Sequence, residues 1–171
     1  MQHQVEATGS AVGDDQQAAF ASFYERQGGQ VLRALALSLG DQELAREATQ
    51  EGMVRAWHAW DRISRYDNPA GWVYRVGLNW GRSRLRRLSR ELLGQDGERT
   101  GRDDEPDPID PVLVAALAEL SHRHRAVAVL RLYLDWSVEE VAAALNIPQG
   151  TVRSRQHTAL QRLRERWEMR P

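Results

Sequence analysis

The sequence predicts an all-α protein of two small helical domains joined by a flexible acidic linker, with a helix-turn-helix in the second domain. Three observations lead to this prediction. Apolar residues recur at steps of three, four and seven in both halves of the chain. Residues 91–111, which are rich in acids, proline and glycine, separate these halves and have almost no apolar periodicity. A short interruption at residues 146–148 then divides the last helical stretch in two.

Composition limits the kinds of protein this can be. A chain of 171 residues has room for two small modules, and the absence of cysteine excludes disulfides, thiolate metal sites and thiol redox sensing within it. No apolar run approaches the roughly 20 residues that span a bilayer. The first residues have neither the basic start nor the apolar core of a signal peptide. We therefore expect a cytoplasmic protein that does not insert into membranes.

Charge is segregated along the chain, although the net charge is only −1. Residues 62–90 contain 8 arginines and 1 acid, residues 91–111 contain 2 arginines and 8 acids, and residues 112–171 contain 9 arginines and 6 acids. Two basic blocks thus flank an acidic one. Such blocks are typical of proteins that bind polyanions, but a charged run is often only a solvated helix face. Composition alone leaves both interpretations open.

The first domain, residues 16–90, is predicted to follow a disordered tail of residues 1–15 and to contain three packed helices. The first of these helices ends at Gly40-Asp41, the second runs from Gln42 to about Trp60, and the third begins at Pro69. The side of the second helix that faces the core is predicted to consist of Met53, Ala56, Trp57 and Trp60.

The third helix carries a polar stripe that contains several arginines. Four members follow one another at steps of four, three and four, namely Arg75, Asn79, Arg82 and Arg86, and Ser83 and Arg90 extend the stripe. Solvated helix faces usually mix charges of both signs, and this stripe does not. We interpret it as an anion-binding face, for which a nucleic-acid backbone is the natural ligand. Trp72 and Trp80 have core spacing, which favours packing over base stacking.

The second domain, residues 112–171, has several helix boundaries that can be predicted from local signals. Ser121 is placed to cap one helix, and Ser137 with Glu140 forms the pattern of a capping box for the next. Asn146 tolerates the left-handed conformation that often ends a helix. In the final helix the predicted inward residues are Val152, Ala159, Leu160 and Leu163, and the predicted outward ones are Arg153, Ser154, His157 and Thr158.

This helix, short turn and helix place guanidinium, hydroxyl and imidazole groups at the start of the second helix. An α-helix fits the major groove of DNA, where arginine can bond guanine through two hydrogen bonds. The sequence therefore predicts that the short turn directs the second helix into the major groove of duplex DNA.

Two long stretches resemble one protein family. "LRLYLDWSVEEVAAALNIPQGTVRSRQHTALQRLRE" is similar to region four of bacterial sigma factors, and "ELAREATQEGMVRAWHAWDRI" followed by "NPAGWVYRVGLNWGRSRLRR" is similar to region two. Their order, with an acidic linker between them, resembles the extracytoplasmic-function (ECF) group of these factors. The resemblance covers roughly residues 18–167.

The resemblance implies roles for particular residues. Core RNA polymerase is expected to bind Glu47, Gln50 and Glu51. The polar stripe, Arg75 to Arg86, falls where the family holds the start-proximal (−10) promoter element as an opened single strand, and "SRYDNPAG" falls where the family captures a flipped base. The residues expected to read the upstream (−35) element as duplex are Thr151, Arg153, Ser154, Arg155, His157 and Thr158.

The implied partners are therefore core RNA polymerase and promoter DNA. An anti-sigma factor is a further partner that the resemblance allows, although no residue here identifies one. This sequence departs from the family pattern at Gly52 and Met53, where a larger apolar pair is usual.

Nothing in the sequence favours catalysis, a cofactor or a metal site. The five histidines are scattered, and His122 and His124 have no carboxylate converging on them. The sequence contains neither a phosphate-binding glycine loop nor a nucleophile elbow. The main alternative is a helix-turn-helix regulator that acts without core polymerase, and a third possibility is a helical adaptor protein. Capture of polymerase by the Glu47 and Gln50 surface distinguishes a sigma factor from both.

Overall fold

The computed structural model describes residues 6–92 and 110–168. Within these two ranges the chain forms eight α-helices and one π-helical turn, and neither range contains a strand. The helices are α1 (Glu6–Leu39), α2 (Gln42–His58), α3 (Trp60–Ile63), α4 (Pro69–Leu92), α5 (Pro111–Ala118), α6 (His122–Ala128), α7 (Val138–Leu145) and α8 (Gln149–Glu168), and the π-helical turn (Val129–Tyr133) continues α6. The prediction of an all-α fold is confirmed.

The first helix begins earlier than the sequence suggested. Residues 6–15, which we assigned to a disordered tail, belong to α1. No proline interrupts the chain before Leu39, so the helix extends through this polar stretch. Most of the predicted linker, residues 93–109, lies outside the described residues, as do residues 1–5.

The predicted helix boundaries rest on capping interactions that the structure contains. Gly40 ends α1 with a φ of 72°, and the Asp41 side chain accepts a hydrogen bond from the Leu44 amide at 2.9 Å. Ser137 and Glu140 form the predicted capping box at the start of α7. Asn146 ends α7 in the left-handed conformation, with φ 54° and ψ 52°. The two caps of α7 fix where the helix-turn-helix begins and where it bends.

Two glycines allow α2 and α4 to pack closely in the first domain. A Cβ at Gly52 would lie 2.9 Å from the carbonyl oxygen of Val73, and a Cβ at Gly77 would lie 2.8 Å from that of Ala48. Larger side chains at these positions would separate the helices. The departure from the family pattern at Gly52 is therefore explained by the local packing of this chain.

Arg125 holds the second domain together from within. Its side chain is buried and donates hydrogen bonds to the carbonyls of Leu117 (2.7 Å), Ala118 (2.7 Å) and Leu120 (3.1 Å) at the end of α5. These carbonyls lie where a helix end has no partners of its own. The guanidinium thus joins α6 to the C-terminus of α5, around a core that includes Val127, Val141, Val152 and Ala159.

Two residues that were predicted to face inward lie outside the core. Leu160 of α8 is half-buried and borders a surface pocket beside His157 and Arg164.

Trp57 was expected to face inward, but 39% of its surface is exposed. Its ring lies against Phe20 of α1, with centroids 5.2 Å apart. The error arose because the inner face of α2 runs through Met53 and Ala56, which leaves Trp57 at the edge of the apolar stripe. Trp60, which was predicted to lie in the same helix, is buried at the start of α3.

The two domains pack directly on each other. Helix α4 of the first contacts α7 of the second, and α1 contacts both α6 and the π-helical turn. Buried apolar residues from both domains form one continuous cluster. The packing is close at Gly71, where an added Cβ would lie 3.0 Å from the Cβ of Ala144. The sequence did not predict this closed arrangement.

Candidate nucleic-acid interface

The polar stripe of α4 lies on one face of the helix, as predicted. Asn79 and Arg86 are exposed, and Arg75, Arg82 and Ser83 are half-buried. Arg86 donates a 2.9 Å hydrogen bond to the Ser83 hydroxyl. The helix therefore displays several guanidinium groups that have no carboxylate bonded to them among the described residues.

Arg82 occupies an unusual position in this stripe. It donates a 2.7 Å hydrogen bond to the carbonyl oxygen of His122, in the other domain. Its Nε is buried and has no hydrogen-bond partner within the described part of the chain. Burial lowers the pKa of the Arg82 guanidinium, and the positive charges of Arg123, Arg155 and Arg86 lower it further, against an opposing effect of Tyr74. Positive charge is concentrated around this side chain.

The first turns of α8 present polar side chains on the outer face of the helix. Arg153, Ser154 and His157 are exposed, and Thr151 and Thr158 are half-buried. The hydroxyls of Ser154 and Thr158 donate to carbonyls of their own helix, each at 3.1 Å. Arg153 makes a 3.3 Å hydrogen bond to Gln149. Arg153 and His157 are therefore the groups most available to a ligand on this face.

Arg155 lies on a different side of α8 from Arg153. With Arg75, Asn79 and Arg82 of α4, and with Arg123, it lines a cavity of about 160 Å³ between the domains. The structure thus brings three of the five α4 residues together with one of the six α8 residues. Arg153 and His157 do not line this cavity.

The loop before α4 borders a second cavity, which also involves both domains. Asp67 and Asn68 line it from the first domain, and Trp136 and Glu140 line it from the second. Asn68 also caps α4, because its side chain accepts a 2.9 Å hydrogen bond from the Gly71 amide. We missed this cap, although an asparagine directly before Pro69 is a signal that could have revealed it.

The third predicted surface lies on α2. Glu47 and Gln50 are exposed, whereas Glu51 forms an ion pair with Arg55 at 2.6 Å. Val54 and Trp57, with exposed fractions of 46% and 39%, follow Gln50 on neighbouring turns. Sequence reasoning missed these two apolar members. The face is thus acidic and amide-bearing at one end and apolar at the other.

No three histidine, aspartate or glutamate side chains in residues 6–92 and 110–168 are grouped so that they could hold a metal ion. In the same ranges, no helix is both long and apolar enough to cross a membrane.

Comparison with known proteins connects these surfaces to one family. The sequence profile of sigma-70 region 2 matches residues 23–91, and that of sigma-70 region 4 matches residues 116–165. The ECF RNA polymerase sigma factor SigL of Mycobacterium tuberculosis H37Rv is 36% identical over 143 residues, which cover 78% of this chain and 81% of SigL.

Two solved structures have the same fold. The sigma factor RpoE of Bartonella quintana, in complex with the anti-sigma factor NepR, superposes with a TM-score of 0.74 at 22% identity and covers 89% of this chain and 98% of its own. CnrH in complex with the cytosolic domain of CnrY gives a TM-score of 0.65 at 27% identity and covers 91% of each chain.

Proposed function

Because the chain belongs to the ECF family of RNA polymerase sigma factors, we propose that it binds core RNA polymerase, recognises two promoter elements and directs transcription initiation from a specific set of promoters. The first domain, proposed as residues 16–90, binds polymerase and the start-proximal element. The second, proposed as residues 112–171, binds the upstream element. The proposed site of action is the cytoplasm. The family acts by binding, and no reaction is assigned to the chain.

The observation that carries this proposal is the combination of two profiles in order, each on a domain with its own suitable face. A regulator that acts without polymerase requires only the helix-turn-helix, so it leaves the α2 surface of Glu47, Gln50 and Glu51 without a purpose. An adaptor protein leaves both arginine-bearing faces without one. A sigma factor uses all three surfaces.

The two proposed DNA-binding faces, on α8 and on α4, suit different forms of promoter DNA. On α8, Arg153 and His157 stand exposed at the start of a helix, which is the part of a helix-turn-helix that reaches base edges in duplex DNA. On α4, the arginines follow a line along the helix, which suits the backbone of an opened single strand. The Asp67 and Asn68 loop adjoins that line and is the proposed site of a captured base.

DNA binding on this scheme requires the domains to separate. Arg75, Asn79 and Arg82 line the same 160 Å³ cavity as Arg155, and a DNA strand does not fit into that space. The 18 residues between Leu92 and Pro111, at roughly 3.3 Å each, reach at most about 60 Å when fully extended. One chain can therefore engage both elements after opening.

The partner seen with the structural relatives suggests one more interaction. RpoE and CnrH were each solved with a bound protein, which for RpoE is named an anti-sigma factor. An anti-sigma factor is accordingly a proposed partner of this chain.

The decisive experiment is transcription in vitro with purified core RNA polymerase that carries no other sigma factor. Templates from a randomised promoter library, followed by sequencing of the transcripts, remove the need to know the promoter in advance. We expect start sites preceded by two shared sequence elements. Sequence-specific DNA binding by the chain, without any stimulation of core polymerase, would instead support the helix-turn-helix regulator.

A further inference from the structure

Two neighbouring cavities form a basic cleft between the domains. The smaller, of about 160 Å³, is lined by Arg75, Arg82, Arg123 and Arg155. The larger, of about 630 Å³, shares Arg82 and Arg123 with it and adds Arg86 and Arg90. No side chain that lines either cavity is a carboxylate, as judged over the part of the chain that the structure describes.

This arrangement concentrates like charge where the domains meet. Arg75 and Arg82 belong to the first domain, whereas Arg123 and Arg155 belong to the second. Closing the domains brings these guanidinium groups around one small space, and apolar Leu78, Ala126, Leu145 and Ile147 form part of its wall. Apolar walls lower the local dielectric, which strengthens repulsion between the cations and equally strengthens their attraction for an anion. An anion at the centre would turn a repulsive contact into an attractive one.

The cleft has the donors that such an anion requires. Arg75, Arg123 and Arg155 line the smaller cavity with guanidinium groups. The Arg82 guanidinium is held beside them by the 2.7 Å hydrogen bond from its terminal nitrogen to the His122 carbonyl. Guanidinium groups bind phosphate through paired, charge-assisted hydrogen bonds. One water needs roughly 10–15 Å³ of cavity space, so the smaller cavity, of about 160 Å³, has room for several waters or for one phosphoryl group. A second or third group would extend into the larger cavity.

We propose that this cleft is a binding site for a small phosphate-type oxyanion, which bridges the two domains and stabilises the closed arrangement. The ligand class includes inorganic phosphate, inorganic diphosphate and triphosphate, and the polyphosphate tail of a nucleotide. The site itself is independent of the proposed function. Only its consequence depends on that function, because an anion that holds the domains together keeps the α4 and α8 residues away from DNA.

Calorimetric titration of the full chain tests the proposal without polymerase or promoter. The probes are sodium phosphate, diphosphate, triphosphate and ATP, each compared with sodium chloride at equal ionic strength. We expect saturable binding at one site per chain. Equal affinity for ATP and inorganic triphosphate would show that the site accepts both the polyphosphate tail of a nucleotide and free polyphosphate. Binding of the inorganic anions without binding of ATP would show that the site accepts only free phosphates.

Variants from each domain test whether the site bridges them. Arg123→Gln, in the second domain, and Arg75→Gln, in the first, should each weaken binding by at least about tenfold. Arg84→Gln removes the same charge from an exposed position on α4 outside both cavities and should leave the affinity unchanged. Circular dichroism of each variant verifies folding.

Two results would overturn the proposal. One is a response to every phosphate that equals the response to sodium chloride. The other is an equal loss of anion affinity in all three variants, which would indicate general attraction of anions to an arginine-rich helix. Because neither result involves transcription, the sigma-factor function could stand while the anion site fails.

Discussion

Gly71 of α4 and Ala144 of α7 pack against each other where the two domains meet. A Cβ at position 71 lies 3.0 Å from the Cβ of Ala144, whereas Cβ atoms joined through a disulfide are about 3.5–4.5 Å apart. An increase of roughly 0.5–1 Å in the separation of these Cβ atoms would therefore accommodate a cross-link. The chain contains no cysteine of its own, so an introduced pair can react only with each other within one molecule.

The double variant Gly71→Cys, Ala144→Cys should lose promoter-dependent transcription when oxidised and regain it when reduced. The physical reason is that the cross-link keeps Arg82 against His122 and prevents DNA from reaching α4. Run-off transcription with and without reductant measures the effect, and gel mobility reports the cross-link. The two single-cysteine variants are the matched controls. Full activity of the cross-linked chain would show that DNA binds without domain separation.

Replacing Arg153 by alanine should change how the upstream element is read. If Arg153 bonds a guanine, its loss should cost about 1–3 kcal/mol of discrimination at one base pair. Competition binding with a set of singly substituted upstream elements measures this. Arg162→Ala removes an exposed arginine farther along the same helix and should reduce affinity without changing the base preference. If Arg153→Ala instead lowered the affinity equally for all upstream sequences, Arg153 would be a phosphate contact.

Gln50→Ala should weaken binding to core polymerase and leave promoter preference unchanged. Gln50 is exposed on α2 beside the apolar pair Val54 and Trp57, so it lies at the edge of a surface that a partner can bury. We expect about a tenfold increase in the dissociation constant for core polymerase, measured by fluorescence anisotropy of labelled protein. Glu25→Ala, an exposed position on α1, is the control.

Trp57→Ala tests the part of this surface that the sequence did not predict. Its exposed ring packs on Phe20, so it presents a fixed aromatic face. A loss of polymerase affinity at least as large as that of Gln50→Ala is expected. An unchanged affinity would confine the polymerase contact to the polar end of α2.

Local signals were sufficient to predict most helix boundaries. Ser137, Glu140 and Asn146 each act on backbone groups within a few residues, so the sequence carries the whole interaction. The polar stripe of α4 was predictable for the same reason, because one helix fixes the spacing of its members. Trp57 was misplaced because periodicity does not distinguish the centre of an apolar stripe from its edge.

Contacts between the domains could not be predicted. Arg82 and His122 are separated by 40 positions, and their hydrogen bond uses a backbone carbonyl, which every residue possesses. No local pattern marks such a partner. Arg125 was missed for a related reason, because a buried arginine that binds the carbonyls at the end of α5 is indistinguishable in sequence from a surface one. Both the Arg82 contact and the burial of Arg125 depend on packing between elements that are distant in the sequence.

Gly52→Ala should destabilise the first domain. The added methyl would lie 2.9 Å from the Val73 carbonyl oxygen and 3.0 Å from Val73 Cγ1, so α2 and α4 would have to move apart. Overpacking of this kind costs about 1–3 kcal/mol, which exceeds the roughly 0.5–1 kcal/mol that alanine gains over glycine within a helix. Gly150→Ala is the matched control, because a Cβ there has no atom within 4 Å, and it should leave stability unchanged or slightly increase it. Urea unfolding followed by circular dichroism measures both. Equal stability of the two variants would mean that the α2 and α4 contact adjusts freely, and close packing would then not explain the glycine at position 52.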